Sequence, residues 1–335
     1  MGAESANRTA EEADLIIAVG TRLQDFNTQS RTLFNREGVK VISLNVTPFD
    51  AYKHECVPLV TDAREGLAEV SSQLGDWTVS ETWKGSYSDW ASSWTQRVDG
   101  ILAAPKGKDE NYLPTDANVI GSVWRSVTEQ DTVLCAAGGL PGELQKLWRA
   151  KSGLNYHLEY GYSCMGYEIA GGLGARMATP DREIYVMVGD GSYLMANSEL
   201  ATSVMLGQKM IVVCLDNRGF ACINRLQNAC GGEAFNNLLQ DCQTVEAGAP
   251  NIDFAAHAKA LGANSEKVQN IEELDAALER ARASDISYFV TIDTDPMPST
   301  DNGTWWDVAV PEVSTREQVN KARKNYEAAT QKQPY

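Results

Sequence analysis

Short apolar runs, each bounded by turn residues, recur along the chain and define its expected elements. ADLIIAV (13–19) and KVISLN (40–45) predict two parallel strands of a partial Rossmann-like unit. VPLVTDAREGLAEVSSQL (57–74) predicts a strand, an Asp-capped turn and a helix. Further on, TVL (132–134), IYVMV (184–188), MIVVCL (210–215) and SYFVTID (287–293) have the continuous, β-branched character of strands buried on both faces of a parallel sheet. Between IYVMV and MIVVCL, Leu194, Leu200 and Val204 fall at helical spacing. The tail STREQVNKARKNYEAATQKQ predicts a helix opened by a capping box, Ser314 with Glu317. The pattern is that of an α/β protein with parallel sheets.

Three segments follow: 1–76 as the partial Rossmann-like domain, 77–111 as a helical segment and linker, and 112–335 as a second α/β domain ending in the C-terminal helix. The middle segment carries Trp77, Trp83, Trp90 and Trp94 at a spacing that suits a packing face, then the polar, Gly/Pro-containing APKGKDENYLP (104–114). No internal repeat is present. A chain of 335 residues suits about two domains.

Candidate chemistry concentrates in GDGSYLMANSELATSVMLGQKMIVVCLDNRG (189–219). Right-handed crossover brings both strands to the same sheet edge, so Asp190 and Asn217 end neighbouring strands there, where ligands bind in such sheets. Gly189 and Gly191 carry no side chain where backbone must approach a phosphate. Magnesium prefers oxygen ligands and commonly joins a few protein oxygens to substrate phosphates. Asp190, Asn217 and the carbonyl of Gly219 form such a set. An isolated Asp-Gly pair is usually only a turn; the strand, GDGS, helix, strand, Asn order is far more specific. CAAGGLPGEL (135–144) places Gly138 and Gly139 at a strand end before a helix, a setting for N–H groups around an anion.

This order resembles the diphosphate-binding domain of thiamine diphosphate enzymes. The resemblance implies magnesium on Asp190, Asn217 and Gly219, and cofactor contacts from Gly138, Gly139, Gly189, Gly191 and Ser192. It also implies that Met165 in YHLEYGYSCMGYEIAGG, a large apolar residue, supports a bent cofactor between its rings, that the Ser163 carbonyl accepts from the aminopyrimidine, and that the Met165 N–H contacts a ring nitrogen. By spacing alone, Met165 reads as core filler. With VGTRLQDFNTQSR, DNRGFACINRLQ and WWDVAVPEVS, the resemblance narrows to the trihydroxycyclohexane-1,2-dione hydrolases of myo-inositol breakdown. It then implies hydrolytic cleavage of a ring C–C bond in a cyclic dione to give 5-deoxyglucuronate. Asp216 departs from the commoner Asn-Asn pair of the wider superfamily.

Such enzymes commonly have three domains, the first carrying a glutamate that activates the cofactor. No counterpart of that domain is expected here, so no activating glutamate is assigned, and Glu159 and Glu168 read as surface or structural. A homo-oligomer, or a chain supplying the pyrimidine-binding domain, is the expected partner. Competing readings are an acetolactate synthase-like or 2-oxoacid decarboxylase enzyme, a non-catalytic cofactor-holding subunit or fragment, and a nicotinamide-binding Rossmann protein, which lacks a suitably placed GxGxxG. His157, just before the Met165 motif, is balanced between moving protons and a structural role. His54 and His257 read as surface residues. NACGGEAFNNLL (228–239) suits either a mobile loop over the site or a plain surface loop.

Charge and cysteines narrow the setting. Lys and Arg number 29 against 45 Asp and Glu, a net charge of −16, which implies no nucleic-acid or anionic-membrane surface. Seven cysteines without a CxxC pair form no zinc pattern. An odd count and no secretory signal predict a reducing cytoplasm, with Cys135, Cys164 and Cys214 as buried thiols and Cys222, Cys230 and Cys242 in looser contexts.

Overall fold

The computed structural model describes residues 2–103, 113–159, 161–242, 251–301 and 305–333. These form two compact units, one of residues 1–97 with 301–335 and one of residues 98–300. In the first unit, β1 (Leu15–Val19), β2 (Lys40–Asn45) and β3 (Val57–Val60) make a parallel sheet in the order β1-β2-β3. Asp62 caps the helix Ala63–Leu74 by accepting from the N–H groups of Arg64 and Glu65, as its position after β3 predicts. The helix Glu81–Leu102 carries Trp83, Trp90 and Trp94: Trp83 meets Trp90 edge-on at 6.1 Å, and the Arg8 guanidinium lies 4.7 Å from the Trp90 ring; Trp77 lies before the helix and is exposed, so it is not part of a packing face. Most of the expected linker, 104–112, lies outside the described residues.

The C-terminal segment differs from expectation. It belongs with the first unit: Trp306 packs edge-on against Phe26 at 4.5 Å, and the Asp307 N–H donates to Ser30 Oγ at 3.0 Å. Gln333 Nε2 donates to the Ser30 carbonyl at 2.8 Å. The final helix, Glu317–Thr330, starts at an Arg316 N-cap that makes no side-chain cap bond. Ser314 instead accepts from the Arg316 N–H before the helix begins, so the expected capping box does not form. A four-residue motif fits several local turns, and the helix phase is set by what Val319 buries.

The second unit is a six-stranded, wholly parallel sheet. Its strands are β4 (Thr132–Cys135), β5 (Tyr156–Leu158), β6 (Ile184–Gly189), β7 (Ile211–Asp216), β8 (Asn264–Val268) and β9 (Tyr288–Asp293), in the order β5-β4-β6-β7-β9-β8. The apolar runs occupy the centre, where Ile184, Val186, Val188, Val212, Cys214 and Phe289 are buried with Leu134, Ile169 and Leu200. Each fully buried aliphatic side chain contributes about 1.5–3 kcal/mol, which makes these strands the rigid part of the unit. The helix Tyr167–Ala178 lies close on the sheet because Gly172 has no Cβ; one would collide with Val186.

The crossover between β6 and β7 is broken. Two short helices, Asp190–Met195 and Glu199–Met205, replace the expected single one. Leu194 is 48 % exposed, and the core position is taken by Tyr193, fully buried against Phe254 and Phe289. Tyr193 Oη bonds His257 Nδ1 at 2.9 Å, so His257 is tied to the core edge rather than to the surface. His54 is half-buried, with Nε2 2.9 Å from the Leu23 carbonyl oxygen. Cys135 and Cys214 are buried as expected, whereas Cys164 is exposed in a loop.

Candidate diphosphate and metal site

Chain order reverses at β4. The chain leaves β4 for β5 on one side and returns to β6 on the other, so the ends of β4 and β6 form the crevice where parallel sheets bind ligands. Gly138 follows β4 and caps the helix Gly139–Leu147 with φ 90°, a conformation that favours glycine. Gly189 ends β6. A Cβ built at Gly138 or at Gly189 would meet nothing within 4 Å, so both glycines face open space at neighbouring strand ends. The first-turn N–H groups at Gly139 and Leu140 have no intrahelical acceptor. The crevice therefore joins room for an anion to donors that suit one. Gly191 has a different role: a Cβ there would lie 2.7 Å from Phe220, so its bareness admits the Phe220 ring.

Asp190 and Asn217 leave adjacent strands, with Gly189 in register with Leu215. Asp190 is 4 % exposed, and its Oδ2 accepts from the Gly219 N–H at 2.7 Å. Its Oδ1 is buried with no hydrogen-bond partner, and so is Asn217 Oδ1. Burying unpaired oxygens is costly, and two at one sheet edge are suited to sharing a cation. Among the described residues no group of three His, Cys, Asp or Glu side chains could hold a metal ion. The available oxygens are one carboxylate, one amide and backbone carbonyls, a hard-cation set that leaves positions for phosphate oxygens and water.

Desolvation, then the Asp216 charge, pushes Asp190 up to about 7. Asp216 is itself raised, chiefly by burial, and accepts from the Arg218 N–H at 3.0 Å. The consequence for pH has a definite sign. A carboxyl whose folded pKa is raised stabilises the fold fully below about 3.8, and that contribution is lost as pH rises through about 7. A bound cation needs the carboxylate, so magnesium affinity should rise with pH to about 7 and level above it, with proton release below it. Calorimetry in two buffers of different ionisation enthalpy measures that proton; a pH-independent affinity between 5.5 and 8 would contradict the assignment.

Gly219 has φ 140°, and a Cβ there would strike the Asn237 carbonyl oxygen. The loop is strapped by 237–239: Phe220 N–H donates to the Asn237 carbonyl at 2.7 Å, and Leu239 N–H to the Arg218 carbonyl at 2.9 Å. The end of the segment 228–239 is thus pinned to the loop that carries Asn217 and Gly219.

Ser192 and Glu168 join this edge to the Met165 turn. Glu168 is fully buried and accepts from the N–H groups of Ala137 and Gly166 and from Ser192 Oγ, at 3.2, 3.1 and 2.8 Å. Ser192 Oγ in turn accepts from the Gly166 N–H at 2.8 Å. The Ser192 proton is therefore committed within the protein. Burial raises the Glu168 pKa, partly offset by these donors. Glu168→Gln points an amide donor into a nest of donors and should cost about 1–3 kcal/mol, seen as a lower urea midpoint. Glu159 is structural too: it accepts from the N–H groups of Tyr162 and Cys164 at 3.0 and 2.8 Å, and chiefly the Cys164 bond holds its carboxyl below the usual range.

Ser163 sits in this turn at φ 53°, and Met165, 37 % exposed, precedes Gly166 at φ 91°. Met165 is thus not core filler. His157 lies on the edge strand β5, exposed, stacked on Tyr167 and 2.8 Å from its hydroxyl. The structure brings together the strand ends carrying Gly138, Gly189, Asp190 and Asn217, and leaves His157 out on the edge strand. Glu168 had no individual signal in the sequence, since an acid in a first helical turn is ordinarily a surface residue.

Residues 136–292 match the model for the thiamine pyrophosphate enzyme C-terminal TPP binding domain, and residues 1–70 match the thiamine pyrophosphate enzyme central domain. The chain belongs to the thiamine pyrophosphate enzymes. Its crevice and its paired buried oxygens fall within the matched C-terminal domain, and thiamine pyrophosphate is another name for thiamine diphosphate. The chain is 38 % identical to a 3D-(3,5/4)-trihydroxycyclohexane-1,2-dione hydrolase of Geobacillus thermodenitrificans, over 96 % of this chain and 53 % of that relative. Against the enzyme of the same name from Halalkalibacterium halodurans it is 37 % identical over 96 % of this chain and 53 % of the relative. Against that of Bacillus subtilis it is 36 % identical, over 99 % and 54 %. The chain thus spans about half the length of the curated relatives it matches.

Proposed function

We propose that this chain anchors thiamine diphosphate through magnesium and, with polypeptide equivalent to the rest of its relatives' length, hydrolyses the ring C–C bond of trihydroxycyclohexane-1,2-dione to 5-deoxyglucuronate in inositol catabolism. The carrying observation is the pair of buried, unpartnered oxygens, Asp190 Oδ1 and Asn217 Oδ1, on adjacent strand ends of a thiamine pyrophosphate enzyme domain. The substrate assignment rests on the named relatives.

When bound, the cofactor supplies an electron sink for C–C cleavage. Asp190 and Asn217 hold the magnesium, with the Gly219 carbonyl as a third ligand. The Gly219 N–H keeps Asp190 Oδ2 engaged, so that Oδ1 is left for the metal. Gly138 and Gly189 leave room for the diphosphate, and N–H groups at Gly139 and Leu140 meet its charge. Ser192 and Glu168 position the turn that carries Ser163 and Met165, which support the bent cofactor. His157 has no proton-transfer role in this reading, because its ring is engaged with Tyr167 on the edge strand.

We place the protein in the cytoplasm. All seven cysteines are free, and no helix among the described residues is long and apolar enough to cross a membrane. Its partner is a second copy or a chain carrying the activating glutamate.

The test compares the 335-residue chain alone with the chain co-purified with the portion of the Geobacillus relative that it does not span. Thiamine diphosphate and magnesium are present in both. Dione turnover is expected to be slight in the first and at least about 100-fold higher in the second. Pyruvate turnover without dione turnover would replace the reading with an acetolactate synthase-like or decarboxylase one. Full dione turnover by the chain alone would remove the need for a partner.

A further inference from the structure

The strand-end crevice is surrounded by acid. Asp190 and Asp216 are buried in it, Asp116 and Glu143 are buried nearby, and the chain as a whole carries a net charge of −16. An anionic diphosphate in this setting needs more positive charge than one divalent cation supplies.

One side chain is placed to provide it. Arg225 lies on the helix Ala221–Ala229, which follows the metal loop. Its Nη2 stands 2.5 Å from where a Cβ of Gly139 would be, so the guanidinium lies against the first residue of the helix Gly139–Leu147. Cys222 flanks the same spot, its Cβ 3.7 Å away. Arg225 Nη1 donates to the Pro296 carbonyl oxygen. Among the described residues no carboxylate forms an ion pair with Arg225 within 4.0 Å. The acid that feels it most clearly is Asp116: burial lifts that carboxyl to about 6, and the Arg225 charge is the main influence pulling it back down.

Asp116 and the Pro296 carbonyl favour a cation here, but the helix end does not. A helix N-terminus carries partial positive charge and unsatisfied N–H donors, so a guanidinium there repels the dipole and offers those donors nothing. Both conflicts are eased by one group, an anion in the open space at Gly138, beside the guanidinium rather than between it and Gly139. The open space at Gly138 and the unpartnered, nine-tenths-buried Asp190 Oδ1 show independently that a ligand belongs at this edge. Gly139 is then required for a second reason besides backbone approach: a side chain there would displace Arg225.

We infer that Arg225 is the cationic wall of the diphosphate cradle, a positioning residue that contacts the phosphate held at the Gly138–Gly139 turn. The inference rests on reading this edge as the diphosphate site. It assigns selectivity for a diphosphate over a single phosphate to the span between Arg225 on one side and the Asp190-bound magnesium on the other.

The test uses the full chain, with magnesium pyrophosphate and then inorganic phosphate as calorimetric probes at low and high salt. In Arg225→Gln, pyrophosphate affinity should fall by about tenfold or more, because a hydrogen bond to a charged group is lost. The salt dependence should flatten, and the preference for pyrophosphate over phosphate should shrink. The unliganded melting temperature should change little, since the Arg225 charge opposes the helix dipole but favours the ionised Asp116. Arg225→Lys keeps the charge and should recover most of the affinity. Pyrophosphate affinity within twofold of wild type in Arg225→Gln, with a lowered melting temperature, would overturn the proposal and leave Arg225 a structural link to Pro296. Asp190→Asn separates the two levels. If it loses magnesium-dependent binding while Arg225→Gln keeps it, the site stands and the Arg225 role falls. If wild type binds no magnesium pyrophosphate, both fall.

Discussion

Asp190→Asn is expected to abolish magnesium-dependent thiamine diphosphate binding while making the unliganded protein more stable at pH 8. The two effects have one cause. Asp190 is a desolvated carboxyl beside Asp216, raised to about 7, so keeping it ionised without a cation costs free energy. Each pKa unit corresponds to about 1.4 kcal/mol, and the bond from the Gly219 N–H already recovers part of the cost. A gain of roughly 1–3 kcal/mol at pH 8 is the reasonable range, or about 2–4 °C per kcal/mol in the melting temperature of a domain this size. The gain should shrink toward pH 5, where wild-type Asp190 is already protonated. Cofactor affinity should fall at least about 100-fold, because an amide brings no charge to the metal. Calorimetry and melting curves from pH 5 to 8 check both halves. An unliganded Asp190→Asn protein less stable than wild type at every pH would mean that the residue is a structural hydrogen-bond acceptor only.

Gly219→Ala should damage fold and site together, and Gly189→Ala should damage the site alone. At Gly219 the backbone stands at φ 140°, and a Cβ would collide with the Asn237 carbonyl oxygen, which is backbone and cannot swing away. Strain of this kind costs about 1–3 kcal/mol, and the collision adds about as much again. The strap at 237–239 should loosen, the N–H bond to Asp190 should lengthen, and cofactor affinity should fall with the urea midpoint. Gly189 has φ −78°, ψ 154°, and nothing within 4 Å of a Cβ. Alanine fits that backbone and restricts the unfolded chain, so stability should be unchanged or up by about 0.4–1 kcal/mol. The same methyl fills the crevice, so thiamine diphosphate affinity should still fall. Unchanged affinity in Gly189→Ala would show that the open space at β6 is not where the diphosphate lies.

The parts of this protein legible in its sequence are those where one local rule decides. IYVMV and MIVVCL were readable as buried parallel strands because an unbroken apolar run rich in β-branched residues has no polar face to turn outward. Once their ends were known, Asp190 and Asn217 had to share a sheet edge. Asp62 was readable as a cap because a carboxylate before a helix accepts its free N–H groups. Elsewhere two rules competed. Ser314 and Glu317 matched a capping box, yet the helix starts at Glu317, after an Arg316 N-cap. Leu194 had the right spacing for a core residue, but the crossover breaks after Met195 and Tyr193 takes the core instead. Cys164 sat in an apolar-looking motif and turned out exposed in its loop.

The sequence by itself determined that this is a parallel α/β protein with a carboxylate and an amide at neighbouring strand ends, because strand burial and crossover hand follow from chain-local sterics. Only the tertiary structure decided which polar atoms were left without partners. It brought Glu168 and Ser192 together across 24 positions. It set Arg225 against Gly139, placed residues 305–333 with the first unit, and left Asp190 Oδ1 and Asn217 Oδ1 bare. The reason is physical: satisfaction of a buried polar group depends on what approaches it through space, and nothing local to Asp190 or Asn217 shows which of their polar atoms the fold will leave without a partner.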